Sequence, residues 1–258
     1  MLLHGLASHK GIWDLVAPIL TTKSNVIAFD LRGHGMTSKE KQGYDFNTIA
    51  SDVKTTCDSL GLEHPILVGH SWGGNVALHC AVHYPELVSG LIMVDGGFIE
   101  PSSVPNWTWE KAKVAMAPPI FHGITIEAIK ERIRTGHLAP YMNPSIENIL
   151  FSNFTVTAEG FAVPKLSREN HMKIVWSLWK HKPSHLFQKV QCPALIIPTI
   201  MHRPTGAMEM CKEYLITRAS RLLSKGKVIW MHETVHDAPL QRPETLAALI
   251  SGFANEPF

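Results

Sequence analysis

The run Ile66-Leu67-Val68-Gly69-His70-Ser71-Trp72-Gly73-Gly74-Asn75-Val76-Ala77 constrains this chain more than any other stretch. An apolar, β-favouring segment enters a G-x-S-x-G pentapeptide and passes at once into helical apolar spacing, which places Ser71 on a sharp strand-to-helix turn. Gly69 and Gly73 remove side chains that would collide where strand and helix pass closely, and Ser71 is expected to take a strained backbone conformation. Such a turn lifts the Ser71 hydroxyl clear of the sheet. It also leaves the Trp72 backbone N–H free at a helix N-terminus, where unpaired donors and the helix dipole favour developing negative charge.

The flanking sequence repeats the strand-then-helix pattern. Met1-Leu2-Leu3-His4-Gly5 reads as the end of a buried strand, Ile12 to Leu20 as a short helix, and Asn25-Val26-Ile27-Ala28-Phe29 as a second strand closed by a loop with Gly33 and Gly35. Ile49, Val53, Cys57 and Leu60 follow helical spacing up to Gly61, Val76 to Tyr84 form a small-residue helix ended by Pro85, and Leu91-Ile92-Met93-Val94 is a strand ending at Asp95-Gly96-Gly97. This alternation predicts a mostly parallel α/β sheet covered on both faces, with ligands meeting it at the C-terminal strand ends. From Phe98 to Val190 strand runs give way to helical segments, among them the faces Ile126/Ile129/Ile133 and Met172/Val175/Trp176/Trp179. These apolar faces hold an insertion together and, as a group, suit the roof of an apolar ligand site. The sheet resumes at Ala194 to Ile197, a helix covers about Met208 to Leu223, Lys227 to Met231 is the last strand, and a final helix starts at Pro243. The division expected is therefore a core of residues 1–97 and 191–258 with an insertion at 98–190.

The chain's 258 residues suffice for one large α/β core carrying such an insertion. With 24 basic and 22 acidic residues it has no field for steering towards nucleic acid, so a small-molecule partner is expected. Cys57, Cys80, Cys192 and Cys211 form no C-x-x-C pair and read as small buried hydrophobes. No stretch approaches the roughly 20 apolar residues of a membrane span and no secretory leader is evident, so a cytoplasmic protein is expected.

A serine hydroxyl needs a base to take its proton. Among 15 histidines His236 is the best placed, just beyond the last strand in His236-Asp237-Ala238-Pro239. His70 is adjacent to Ser71 but points elsewhere in such a turn. His232-Glu233-Thr234-Val235-His236 fits the zinc-protease pattern H-E-x-x-H, yet that chemistry needs a helix, and here the motif follows a strand and runs into Pro239. No metal is expected.

Several motifs together make the chain similar to the α/β-hydrolase superfamily, specifically to serine esterase or lipase-like members with a helical cap. His4-Gly5-Leu6 resembles the family's oxyanion loop, Asp30-Leu31-Arg32-Gly33-His34-Gly35-Met36-Thr37-Ser38 its D-x-R-G-x-G-x-S turn, Gly69 to Gly74 its nucleophile elbow, and His236 with Pro243-Glu244 its histidine loop. Residues 98–190 occupy the place of its cap. The resemblance implies an α/β-hydrolase fold, an oxyanion hole formed by the Leu6 and Trp72 N–H groups, and no cofactor. Asp30 and Arg32 are expected to brace their loop.

The chain departs from that pattern twice. The acid that orients the histidine commonly follows the penultimate strand, but Leu195-Ile196-Ile197-Pro198-Thr199-Ile200-Met201-His202-Arg203 holds no carboxylate. Some relatives take it from the strand after the elbow, where Asp95 stands, and Asp95 is the acid assigned here. A strand-end aspartate also caps local N–H groups, and with no acid in either place Ser71 and His236 would work as a dyad. The family also has two strands ahead of the one ending at His4-Gly5. These first two strands are apparently absent, which leaves six and turns Val26 to Phe29 into an exposed hydrophobic edge.

The resulting expectation is a serine hydrolase of small, largely apolar carboxylic esters, with Ser71, His236 and Asp95 as its triad. The alternatives are a catalytically weak sensor or binding protein, or a lactonase, C–C hydrolase or cofactor-free peroxidase on the same scaffold. Serine at the elbow speaks against dehalogenase or epoxide-hydrolase chemistry, for which the family places aspartate there.

Overall fold

The computed structural model describes residues 1–201 and 207–255. Five strands pair in parallel in the order β1 (Leu2–Leu3), β2 (Ile66–His70), β3 (Gly90–Val94), β6 (Ala194–Ile197) and β8 (Gly226–Val228). Two short pairs stand apart: the antiparallel β4 (Phe154–Val156) with β5 (Ala162–Pro164), and the parallel β7 (Thr199–Ile200) with β9 (Met231–His232).

Successive strand residues point to opposite faces of a sheet, and here they feed two separate cores. Leu3, Leu67, Leu91, Met93, Ala194 and Ile196 pack with α2 (Phe46–Ser59), α3 (Trp72–His83) and α8 (Ala207–Leu222). Leu2, Val68, Ile92, Val94, Leu195 and Ile197 pack with α1 (Ala17–Leu20), α9 (Ala238–Gln241) and α10 (Pro243–Asn255). The central strands are buried on both sides, which is why their sequences are apolar without alternation. Between β3 and β6 lie α4 (Trp109–Ala115), α5 (Ile126–Arg134), α6 (Pro144–Phe151) and α7 (Arg168–Lys180). Each begins at a residue whose side-chain oxygen caps a backbone N–H of the first turn: Thr108, Thr125, Asn143 and Ser167.

Several expected elements differ in detail. Residues 25–29 form no strand; their contact with the sheet is a single bridge between Ala28 and Leu2, with the Leu2 N–H donating to the Ile27 carbonyl at 2.8 Å. The central sheet therefore has five strands where six were counted, because a two-residue β1 offers that segment too short a ladder. Lys227 to Met231 is two strands: β8 continues the central sheet beside β6, while β9 follows β7 after the break at Pro198, which donates no ladder hydrogen bond. The segment 98–190 does contain strand, the β4–β5 hairpin. Ile12 to Leu20 is a 3₁₀ turn, Lys10–Trp13, followed by the single turn of α1. Cys57 and Cys80 are buried, but Cys192 and Cys211 are partly exposed. No helix among the described residues is long and apolar enough to cross a membrane.

Candidate active site

The in-register pairing of β2 with β3 aligns His70 with Val94, so the next residues, Ser71 and Asp95, leave the sheet side by side at its C-terminal edge. Both have positive φ, 54° and 40°, a conformation that costs a non-glycine residue on the order of 1–3 kcal/mol and must be held by its surroundings. The Ser71 N–H donates to the Val94 carbonyl at 2.9 Å, the Asp95 N–H donates to the Ile197 carbonyl at 2.9 Å, and the Ser71 carbonyl accepts from the Gly74 N–H at 2.9 Å. A methyl group at Gly69 would overlap the Gly73 carbonyl, and one at Gly73 would stand 2.5 Å from the His4 carbonyl oxygen. The two outer glycines of the pentapeptide are thus fixed by the closeness of strand and helix.

His236 reaches this edge from the loop after β9. Ser71 Oγ lies 2.9 Å from His236 Nε2, and His236 Nδ1 lies 2.6 Å from Asp95 Oδ2. Burial alone would raise the Asp95 carboxyl. The hydrogen bond and charge of His236, the charge of Lys212 and the Thr199 N–H overcome that and hold it well below the usual carboxylate range. An ionised carboxylate only accepts, so the Nδ1–H of His236 donates to Asp95 and Nε2 is left to accept from the Ser71 hydroxyl. Burial lowers the pKa of His236, but its ring is 48 % exposed. The Asp95 hydrogen bond and the charges of Asp95 and Asp237 prevail and raise it above an ordinary histidine's.

The loop that resembles an oxyanion loop abuts this serine: a methyl on Gly5 would stand 3.0 Å from Ser71 Cβ. Trp72 opens α3, and no backbone hydrogen bond to another described residue consumes the Leu6 or Trp72 amide.

The comparisons with known proteins agree with this arrangement at the level of the fold. A family model described as alpha/beta hydrolase fold matches residues 1–119. A peroxisomal alpha-beta-hydrolase of Saccharomyces cerevisiae superposes with a TM-score of 0.76 at 17 % identity, covering 100 % of this chain and 77 % of its own. The chain has the α/β-hydrolase fold. Among its relatives, a serine hydrolase-like protein of Danio rerio is 24 % identical over 97 % of this chain and 79 % of its own length. Human epoxide hydrolase 4 is 36 % identical over 97 residues, 37 % of this chain and 27 % of its own. These relatives are named as a hydrolase and a hydrolase-like protein.

Further side chains set the site. Lys212 of α8 is 13 % exposed and lies 3.0 Å from Asp95 Oδ1; its Nζ also donates to the Thr199 carbonyl at 3.1 Å and to Glu209 Oε1 at 2.9 Å. The Thr199 N–H donates to Asp95 Oδ1 at 3.0 Å. His4 accepts the Leu31 N–H on Nε2 at 2.9 Å and donates from Nδ1 to the Gly5 carbonyl at 2.8 Å; burial lowers its pKa to about 4 and keeps it neutral. His34 stacks on Trp72 with ring centroids 5.4 Å apart and accepts the Ala7 N–H at 3.3 Å, so the two histidines pin both sides of Leu6. His70 points away from Ser71 Oγ and donates from Nε2 to the His236 carbonyl at 2.8 Å. Nothing in the sequence pattern flags Lys212, which lies 117 residues from Asp95.

Asp30 accepts the Lys10 and Met36 N–H groups at 2.8 Å each, and Arg32 pairs with Asp52 through two 2.7 Å bonds, so both brace their loops. The H-E-x-x-H stretch is strand and turn rather than helix, and the described residues hold no cluster of metal-ligating side chains. Of the stretch after β6, His202 and Arg203 lie outside the described residues.

Proposed function

We propose that this chain is a serine hydrolase that cleaves small, largely apolar carboxylic esters through an acyl-enzyme. The observation that carries the reading is the continuous hydrogen-bonded series Asp95–His236–Ser71, with contacts of 2.6 and 2.9 Å. Ser71 Oγ attacks the ester carbonyl carbon as its proton passes to His236 Nε2. The carbonyl oxygen, now negative, is held by the Leu6 and Trp72 N–H groups, each such donor being worth about 3 kcal/mol to a transition state. As the carbon–oxygen bond to the alcohol breaks, His236 returns the proton to the leaving oxygen. Water, deprotonated by the same nitrogen, then attacks the acyl-serine and releases the carboxylic acid. Asp95 keeps His236 in the tautomer that makes Nε2 a base and stabilises the imidazolium that forms.

Residues 98–190 serve in this reading as a cap over the site. The relatives named for epoxide hydrolysis align with this chain over about a third of its length. A serine at position 71 supports acyl transfer rather than their chemistry. A serine-reactive fluorophosphonate probe tests the proposal: the intact protein should be labelled and Ser71→Ala should not. Absence of labelling, or labelling unchanged by that substitution, sinks the hydrolase reading.

A further inference from the structure

A cavity of about 550 Å³ is lined by Ala7, next to Leu6, although Ser71, Asp95 and His236 are not in its lining; its volume lies within the 300–1,000 Å³ range of small-molecule sites. Its core side is Ala7, Ser8 and Gly35, and the rest of its lining comes from residues 117–171. Ala7 follows the Leu6 amide. His137, also in the lining, donates from Nε2 to Asp237 Oδ2 at 2.6 Å, beside His236. The walls are apolar, with Ile129, Ile133, Leu138, Phe154 and Leu166 among them. The charged side chains of the lining include Arg132, Lys165 and Arg168, with no Asp or Glu among the described residues that line it.

These three cations differ from others on the same helices. Lys130 pairs with Glu127 at 3.0 Å, Arg134 with Glu147 at 2.7 Å and Lys173 with Glu169 at 2.7 Å. Arg132 and Arg168, from α5 and α7, and Lys165, just before α7, make no ion pair with any described carboxylate, and Arg168 donates instead to the Pro118 carbonyl. Lys39 stands behind Gly35, donating to the His34 and Gly35 carbonyls at 2.8 and 2.9 Å, where the Asp30 carboxylate against Gly35 offsets its charge. Like charges gathered round a low-dielectric concavity focus a positive potential into it and raise the local concentration of anions. Apolar walls and unpaired cations together fit an anionic amphiphile.

We propose that this cavity binds an apolar chain bearing an anionic group, a carboxylate or a phosphate. The ester cleaved at Ser71 accordingly carries such a group away from the scissile bond. The second statement rests on the serine-hydrolase reading; the binding statement does not. The test uses the Ser71→Ala protein and titration calorimetry with decanoate, decyl phosphate, decanol and decylammonium. Three charges, two exposed and that of Lys165 half-buried, each contributing modestly, are expected to favour the anions over decanol by about tenfold at low ionic strength, or about 1.4 kcal/mol. The preference should shrink at about 0.5 M salt, where screening is effective within a few ångströms. The relative affinities of the carboxylate and the phosphate decide which headgroup fits. Adding Arg132→Gln, Lys165→Gln and Arg168→Gln together should abolish the preference while leaving decanol affinity unchanged, which shows that the cavity is intact. Substituting the paired Lys130 and Arg134 by Gln should leave the preference in place. Equal binding of decanol and decanoate, or a preference that survives the triple substitution, overturns the proposal. Anion preference without fluorophosphonate labelling would keep the binding site and remove the hydrolase; labelling without anion preference would do the reverse.

Discussion

Replacing Asp95 by Asn tests the reasoning most sharply, because the structure dictates which way the amide must face. Asp95 Oδ2 accepts from His236 Nδ1 at 2.6 Å, while Oδ1 accepts the Thr199 N–H at 3.0 Å and lies 3.0 Å from Lys212 Nζ. An asparagine has one acceptor oxygen and one NH₂. Turned with its NH₂ towards Thr199 and Lys212, it sets a donor against two donors in a site where Asp95 is 2 % exposed. Each buried group left unsatisfied costs about 1–3 kcal/mol, and more beside a charge. The other orientation keeps the Thr199 hydrogen bond and presents NH₂ to His236; Lys212, which donates to Oδ2 at 3.1 Å, then turns to the remaining oxygen 3.0 Å away. His236 must then accept on Nδ1 and carry its proton on Nε2, so it cannot take the proton of Ser71. In a triad of this kind that reversal costs about 10⁴ in kcat. We expect Asp95→Asn to hydrolyse a chromogenic short-chain ester with kcat lowered by about 10³–10⁴, with an unchanged far-ultraviolet circular dichroism spectrum. Asp237→Asn, which removes a charge near His236 but leaves the His236–Asp95 hydrogen bond in place, should stay within about tenfold of the parent. A folded Asp95→Asn enzyme of near-parental turnover would refute both the tautomer argument and the assignment of Asp95.

Two further outcomes concern pH. In the proposed mechanism His236 must be neutral to act as the base, and the Asp95 hydrogen bond and charge raise its pKa above an ordinary histidine's, so kcat/KM should fall as pH drops, with a midpoint higher than that of an ordinary histidine. Lys212 holds that pKa down by its charge, so Lys212→Met should move the acid limb upward, whereas a purely structural role for Lys212 would lower activity without moving it. His4, His70 and His79 have pKa values lowered by burial to about 4, and His181 to about 3. Each binds its proton more readily unfolded than folded, so its contribution to stability is complete above 6.5 and is lost as pH falls towards the folded value. Tm should therefore drop steeply between pH 6.5 and 4; a flat profile there would show that these rings are not held neutral.

Much of the α/β core and the place of Ser71 could be read from the sequence because both are local. A strand, a G-x-S-x-G turn and a helix lie within a dozen residues, and the positions of Gly69 and Gly73 follow from steric contact between adjacent elements. The apolar faces of α2, α3 and α10 are likewise periodic within one segment. Elements that depend on a neighbour were harder. Residues 25–29 have strand composition but too short a ladder beside them, and Lys227 to Met231 looks continuous although its two ends pair with different partners.

The site divides in the same way. The sequence by itself determined the strand-to-helix turn that holds Ser71 and the alternation that sets a parallel sheet, since short-range sterics and periodicity are written in consecutive residues; His236 was a candidate from its place beyond the last strand, and Asp95 only from the family resemblance. Only the tertiary structure decided their juxtaposition. The hydrogen bonds that join His236 to Asp95 and to Ser71 span 141 and 165 residues, distances over which chain position carries no geometric information. Lys212, His34 and the cations of the cavity belong to the same class. A side chain's charge is visible in one dimension, whereas the field it exerts depends on what the fold sets beside it.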